Sequence, residues 1–177
     1  CISSAGIGDQ DTTGCADPDG DGYDSNPPAN HLALAVGQNH TALINAAGDI
    51  VVYGADDKGQ ISDIPALPEG RTWRQITSGY NALCAIDSTG VIHCWAGGDH
   101  LLSSDPDSEH PIDIPTTWGG GFDDVTVGTD YICGLKDGTI TCAGYDWWPP
   151  SDNDFVDIDS YSAQSCGLHA TGALTCW

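Results

Sequence analysis

The chain has 177 residues and is strongly acidic, with 26 Asp+Glu against four Lys+Arg and a formal net charge of −22. Nucleic acid and anionic membrane surfaces would repel such a chain, so neither is expected as a partner. All the acids except Glu69 and Glu109 are Asp, which is typical of turns and metal-binding loops rather than helices. No apolar stretch approaches the roughly 20 residues of a membrane-spanning helix.

Residues 1–30 form an acidic, Gly/Asp-rich tail or tether without hydrophobic periodicity. Within this tail, carboxylates at alternate positions precede a glycine, as in the first half of a calcium-binding loop. The candidate Ca²⁺ ligands are Asp17, Asp19, Asp21, the carbonyl of Tyr23, and Asp24. Pro28 stands where an EF-hand requires a glutamate, so the segment is more similar to the short aspartate loops of thrombospondin type 3 repeats. A solvated acidic linker is the alternative.

Cys1, the first residue, allows three interpretations. Bacterial lipoproteins begin, after processing, with a lipidated cysteine followed by a polar tether, and residues 1–30 resemble such a tether. A Cys1–Cys15 disulfide would instead pair all eight cysteines, and for that reason we favour it. An intermolecular disulfide is the third interpretation.

One pattern occurs four times, over residues 31–54, 73–96, 122–144 and 155–177. Each copy has an anchor residue, a short apolar run, a turn glycine and a second apolar run. The four anchors are Gly37, Gly79, Gly128 and Tyr161. Short apolar runs between Gly and Asp turns predict strands, so we expect an all-β protein. The predicted fold is a propeller-like array of about four short antiparallel blades, since each copy supplies one blade.

Three of the four predicted hairpins carry a cysteine near each end. Facing residues of an antiparallel pair lie roughly 4.5–5.5 Å apart, which is within disulfide reach. The predicted disulfides are Cys84–Cys94, Cys133–Cys142 and Cys166–Cys176. The first copy has an apolar pair, Ala42 and Val52, at the matching positions, which supports this pairing. Zinc is the competing interpretation, but its ligands usually include C-x-x-C pairs, and this sequence has none.

The repeat resembles that of the regulator-of-chromosome-condensation family, most closely in residues 36–43, 52–54 and 57–60. Its cysteine-bearing form is similar to versions found in secreted bacterial proteins. The resemblance covers roughly residues 31–177 and implies a β-propeller with short antiparallel blades. It does not imply nucleotide exchange or chromatin binding, because the chain has no basic surface for DNA. The same propeller serves as a secreted bacterial β-lactamase inhibitor, so the fold leaves the function open.

The loop after the third copy contains Trp147 and Trp148. Adjacent tryptophans in a short loop can form an exposed contact patch for a partner. The alternative is that one of them caps the neighbouring blade.

These features predict a non-enzymatic protein that is secreted, extracellular or at the cell surface. Disulfides require an oxidising compartment, and no nucleophile with a positioned base is recognisable, so no catalytic residue and no organic cofactor are predicted. Closed rings of this family have more than four blades, and an open array leaves blade faces uncovered. We therefore expect self-assembly into a homo-oligomer or filament, unless the chain is a fragment. The alternative function is a binding module that recognises a protein or glycan through its loops.

Overall fold

The computed structural model describes residues 33–97, 118–144 and 149–177. These residues form four three-stranded antiparallel sheets, which we number blades 1 to 4. The strands are β1 (Leu34–Val36), β2 (His40–Ile44) and β3 (Ile50–Gly54) in blade 1; β4 (Trp73–Ser78), β5 (Ala82–Asp87) and β6 (Ile92–Ala96) in blade 2; β7 (Asp124–Val127), β8 (Tyr131–Lys136) and β9 (Thr139–Gly144) in blade 3; and β10 (Phe155–Tyr161), β11 (Gln164–His169) and β12 (Leu174–Cys176) in blade 4.

The predicted all-β array of short antiparallel blades is confirmed. The strand that ends just before or at each anchor residue pairs with the first strand of the hairpin, so each hairpin becomes a three-stranded sheet. The first strands of successive blades, β1, β4, β7 and β10, lie next to one another, and we call them the inner strands. Within the described ranges, no helix is long and apolar enough to cross a membrane.

The blades are held together by face-to-face packing between neighbours. One side of blade 1, including Ala42 and Val52, packs against Ile76 and Trp95 of blade 2. The other side of blade 2 packs in the same way against blade 3, and the other side of blade 3 against blade 4. The hydrophobic core therefore consists of three layers between blades, with each internal blade contributing to two of them.

Glycine at the anchor position lets the turns of neighbouring blades approach closely. A Cβ atom on Gly79 would lie 2.6 Å from the carbonyl oxygen of Gly128 and 2.7 Å from a methyl group of Val127. Such distances are far inside van der Waals contact, so a side chain at this anchor would push blades 2 and 3 apart. Glycine at this anchor thus fits the tight contact between blades 2 and 3.

Each of the three disulfides joins directly facing residues of one hairpin. The Cα atoms are 4.1 Å apart in Cys84–Cys94, 4.1 Å in Cys133–Cys142 and 4.0 Å in Cys166–Cys176. Blade 1 has Ala42 opposite Val52 in the same register, and both residues are buried. The disulfides of blades 2 and 3 are part of the layers between blades and also act as core side chains.

We predict that replacing Cys84 and Cys94 together by Ala and Val, the pair that blade 1 uses, preserves the fold but destabilises it. Loop-closure entropy for a bridge of this length corresponds to a loss of about 2–3 kcal/mol in the free energy of unfolding. The measurement is urea unfolding of the variant and the wild type. The single variant Cys84→Ala should lose more of the free energy of unfolding than the double variant, because it also leaves the unpaired thiol of Cys94 in a packed layer. If the double variant were as stable as the wild type, the disulfide would have no stabilising role.

Candidate functional site

Two clefts lie along the inner strands, and they differ in chemistry. One, of about 560 Å³, is lined by the earlier residues of β4, β7 and β10, among them Gln75, Asp124 and Asp157. The other, of about 480 Å³, is lined by the last residues of all four inner strands and by the turns that follow them. We call them the acidic cleft and the neutral cleft.

The neutral cleft is built from equivalent positions of the four repeats. Its floor is formed by the residue before each anchor, and its rim by the turn residue after each anchor. The floor residues are Val36, Ser78, Val127 and Ser160. The rim residues are Gln38, Tyr80, Thr129 and Ser162. None of the described residues that line this cleft carries a charged side chain, although the chain has a net charge of −22.

The rim is fixed by hydrogen bonds between neighbouring turns. The backbone N–H of Gln38 donates to the carbonyl of Tyr80 at 3.1 Å, and the amide of its side chain donates to the Tyr80 hydroxyl at 2.7 Å. On the opposite side, the N–H of Thr129 donates to the carbonyl of Ser162 at 3.0 Å. These contacts join blade 1 to blade 2 and blade 3 to blade 4 at the edge of the cleft.

The two floor serines are positioned by rings of the preceding blades. The Nε2 atom of His40 in blade 1 lies 2.7 Å from the hydroxyl of Ser78 in blade 2, and burial lowers the pKa of His40, so its ring is neutral at pH 7. The buried hydroxyl of Tyr131 in blade 3 lies 2.7 Å from that of Ser165, which is 2.8 Å from that of Ser160. The floor therefore presents oriented hydroxyl groups between apolar side chains.

Tyr161 departs from the repeat, because the other three blades have glycine at this anchor position. The tyrosine is 88% exposed and lines the neutral cleft, as does the half-exposed Tyr80. The sequence contained this signal, in that the fourth anchor is an aromatic residue rather than glycine. The sequence alone does not reveal a role for this tyrosine, because the floor residues of the cleft lie far apart along the chain.

In the acidic cleft, one carboxyl group is held by the neighbouring blades. Asp124 accepts hydrogen bonds from the side chain of Gln75 and from the N–H of Ile158 at 3.1 Å, and it shares a hydrogen bond with Asp157. Burial, together with the adjacent Asp157 carboxyl, raises the pKa of Asp124 to about 6. Gln75, Asp124 and Asp157 occupy the same position in successive repeats, so they form a polar contact line across blades 2, 3 and 4.

A second carboxylate, Asp87, stabilises the β5–β6 turn. It is fully buried and accepts hydrogen bonds from Thr89, from His93 at 3.1 Å and from Arg71 at 2.7 Å. Burial would raise the pKa of Asp87, but these hydrogen bonds outweigh it and keep the pKa well below its usual range. Since its partners are Thr89 and His93 of the same blade and Arg71 of the segment just before β4, Asp87 has a structural role.

Several predicted site residues lie outside the described residues: the candidate calcium ligands Asp17, Asp19, Asp21, Tyr23 and Asp24, the cysteines Cys1 and Cys15, and the tryptophans Trp147 and Trp148. Calcium binding, the state of Cys1 and the tryptophan patch stay predictions. In residues 33–97, 118–144 and 149–177, no group of three or more His, Cys, Asp or Glu side chains is arranged to hold a metal ion.

Comparison with solved structures identifies the fold. The ectodomain of the receptor kinase CR4 from Physcomitrella patens matches with a TM-score of 0.65 at 24% identity, and covers 82% of this chain and 38% of its own. The CRINKLY WD40 ectodomain of the Arabidopsis thaliana receptor kinase ACR4 matches with a TM-score of 0.55 at 22% identity, with 81% and 48% covered. Prp20p of Saccharomyces cerevisiae, the yeast RCC1, matches with a TM-score of 0.59 at 18% identity, with 81% and 43% covered.

The described blades have an RCC1-like β-propeller fold. The chain spans less than half the length of each of these structures, and at these identities the likeness concerns the fold alone. A scan of protein-family models found no match, and no curated protein matches the chain.

We predict that the stability of the protein falls as the pH rises from about 4 to 6. In this range the folded chain keeps a proton on Asp124, whose pKa is about 6, whereas the unfolded chain, with the ordinary pKa of 3.8, has released it. Asp157→Asn should reduce this dependence and leave the part that burial causes, because the new amide donates to Asp124 and stabilises its carboxylate. The measurement is urea unfolding at several pH values.

Asp159→Asn is the matched control for this prediction. It removes the same charge from the same strand, and Asp159 also lines the acidic cleft, but its carboxylate accepts from Ser160. Equal effects of the two substitutions would show that general charge repulsion, rather than the Asp124–Asp157 contact, produces the pH dependence.

Proposed function

We propose that the protein is a non-enzymatic extracellular structural protein that self-assembles by docking blade 1 of one copy on blade 4 of the next. One observation carries the proposal. The same face-to-face contact occurs three times within the chain, and the two end blades expose its two halves. A second copy is therefore the occupant whose surface already matches each exposed half.

The open face of blade 1 consists of Leu34, Val36, Leu43, Val51 and Tyr53, which share one side of the sheet. Leu34 is 66% exposed, Val36 68% and Tyr53 62%. In blades 2, 3 and 4 the residues equivalent to Leu34 are Ile76, Val125 and Ile158, and each is exposed by 5% or less because the preceding blade covers it. Blade 1 thus exposes to solvent an apolar residue at a position that is buried in the other three blades.

The open face of blade 4 includes Leu168, Leu174 and the Cys166–Cys176 disulfide, which share the other side of the sheet with Asp157 and Asp159. Leu174 is 68% exposed, whereas the equivalent Ile92 and Ile140 are 6% and 4% exposed beneath the following blade. The corresponding cysteines Cys84 and Cys133 are fully buried. This face is thus the complement of the open face of blade 1.

Contacts between two different faces are heterologous, so each added copy leaves one open face of each kind. A rotation that closes gives a ring, and one that does not gives a filament. Asp157 and Asp159 stand on blade 4 where blade 2 has the uncharged Gln75 and Thr77, and each copy carries a net charge of −22. Repulsion between copies therefore opposes assembly, and added salt should promote it.

Three disulfides and the receptor ectodomains among the structural neighbours support an extracellular location. Calcium at Asp17–Asp24 is part of the same proposal, since a bound cation would reduce the repulsion between copies. Sedimentation with and without chelator tests that part separately from the blade contact.

A second candidate function, ligand binding, is supported by the neutral cleft, to which all four blades contribute.

We predict that Leu174→Asp raises the dissociation constant of assembly at least tenfold, because it places a carboxylate in the apolar contact. Ala173→Asp is the control, since it adds the same charge at the neighbouring exposed turn residue. Sedimentation velocity over a range of protein concentrations measures the dissociation constant of each variant, and circular dichroism verifies that both variants are folded. Equal sedimentation of the two variants would contradict docking through this face.

Mixing two blocked variants tests the head-to-tail geometry. Leu34→Asp blocks only the face of blade 1, and Leu174→Asp blocks only that of blade 4. Each variant alone should sediment as a monomer, and their mixture should form a dimer that grows no further. A mixture that stayed monomeric would rule out the proposed pairing of faces.

A further inference from the structure

The neutral cleft has the chemistry of a sugar-binding site, and we propose that it binds an uncharged sugar residue of a glycan. This inference goes beyond self-assembly and concerns mainly the turns after the inner strands, although Val36 belongs both to this cleft and to the open face of blade 1. It depends on three observations: the uncharged side chains of the described lining residues, the oriented hydroxyl groups of the floor, and two exposed tyrosine rings.

The first observation concerns which ligands the cleft selects. Among the described residues, its lining contains no carboxylate to attract a cation and no Lys or Arg to attract an anion. Anions are also repelled by the net charge of −22. An uncharged ligand is therefore favoured, and the volume of about 480 Å³ lies within the range of small-ligand sites, roughly 300–1,000 Å³.

The second observation is the alternation of apolar and hydroxyl-bearing residues on the floor, in the order Val36, Ser78, Val127, Ser160 around the blades. A sugar ring likewise presents C–H groups between hydroxyl groups. Ser78 is held by His40, and Ser160 by the chain from Tyr131 through Ser165, so both hydroxyl groups are oriented before a ligand arrives. Such preorganisation reduces the entropy lost on binding.

The third observation is the pair of tyrosines. Tyr80 is 50% exposed and is held at its hydroxyl by Gln38, whereas Tyr161 is 88% exposed at the position where the other blades have glycine. An aromatic ring offers an apolar face for the C–H side of a sugar, and tyrosine also has a hydroxyl group that tolerates water. A floor of valines and serines beside two tyrosines suits a sugar better than an extended peptide, which would need an open strand edge or a long groove.

The test is a calorimetric titration of the full chain with neutral oligosaccharides of glucose, galactose, mannose, xylose and N-acetylglucosamine, with polygalacturonate as an acidic probe. We expect at least one neutral oligosaccharide to bind and polygalacturonate not to bind. Tyr161→Gly should weaken that binding at least tenfold. The substitution introduces the residue that blades 1 to 3 have at this position, so the fold should tolerate it.

Three further variants separate stacking from other effects. Tyr161→Phe keeps the aromatic face and should bind within about threefold of the wild type, since a factor of three is well under 1 kcal/mol. Tyr80→Ala should weaken binding, and Tyr53→Ala, which removes an exposed tyrosine from the open face of blade 1, should leave it unchanged. The titrations are repeated in the Leu174→Asp background, so that assembly cannot be mistaken for sugar binding.

The proposal is overturned if no neutral oligosaccharide binds, if binding is insensitive to Tyr161→Gly, or if polygalacturonate binds more tightly than the neutral sugars. Engagement of the cleft by a peptide instead of a sugar would also overturn it. None of these results bears on self-assembly, which depends on Leu34 and Leu174 and is measured by sedimentation.

Discussion

Face-to-face packing between successive blades is the contact on which the rest of this structure depends. Each sheet has only three short strands and too little area to bury a core of its own, so its stability comes from covering the neighbouring sheet. The repeat places an apolar residue at the same point of each inner strand, and the preceding blade covers it in blades 2, 3 and 4. This dependence on a neighbour also explains why the end blades expose apolar side chains such as Leu34 and Leu174.

The clefts follow from the same stacking. When equivalent strands lie side by side, the residues at one repeat position form a line across the blades. The charge and polarity of that line depend on which side chains occupy the position. At one position the line is Gln75, Asp124 and Asp157, and burial together with the adjacent Asp157 carboxyl raises the pKa of Asp124 to about 6. At another, three positions further along, hydroxyl and apolar side chains alternate, and none of these four residues is charged. One scaffold thus carries an acidic cleft and a neutral cleft a few residues apart.

Much of the fold could be predicted from the sequence because the repeat constrains it. A recurring register fixes which residues face one another, so the pairing of Cys84 with Cys94 follows from the spacing, and Ala42 opposite Val52 supports it. The clefts could not be predicted in this way. Ser78 and Ser160 are ordinary strand-end residues until stacking brings them together, and Asp124 is one of many aspartates in a chain rich in them. Tyr161 was visible as a departure from the anchor glycine, but its meaning depends on which blades meet around it.

The measurement that tests the central claim most directly is the mass of the wild-type chain in solution, obtained by light scattering over a wide range of protein and salt concentrations. If the end blades carry the two halves of the internal contact, the mass should rise above the 18.4 kDa of one chain as protein and salt concentrations increase. A mass that stayed at 18.4 kDa under all these conditions would contradict the account, because the open faces of blades 1 and 4 would then not recognise each other.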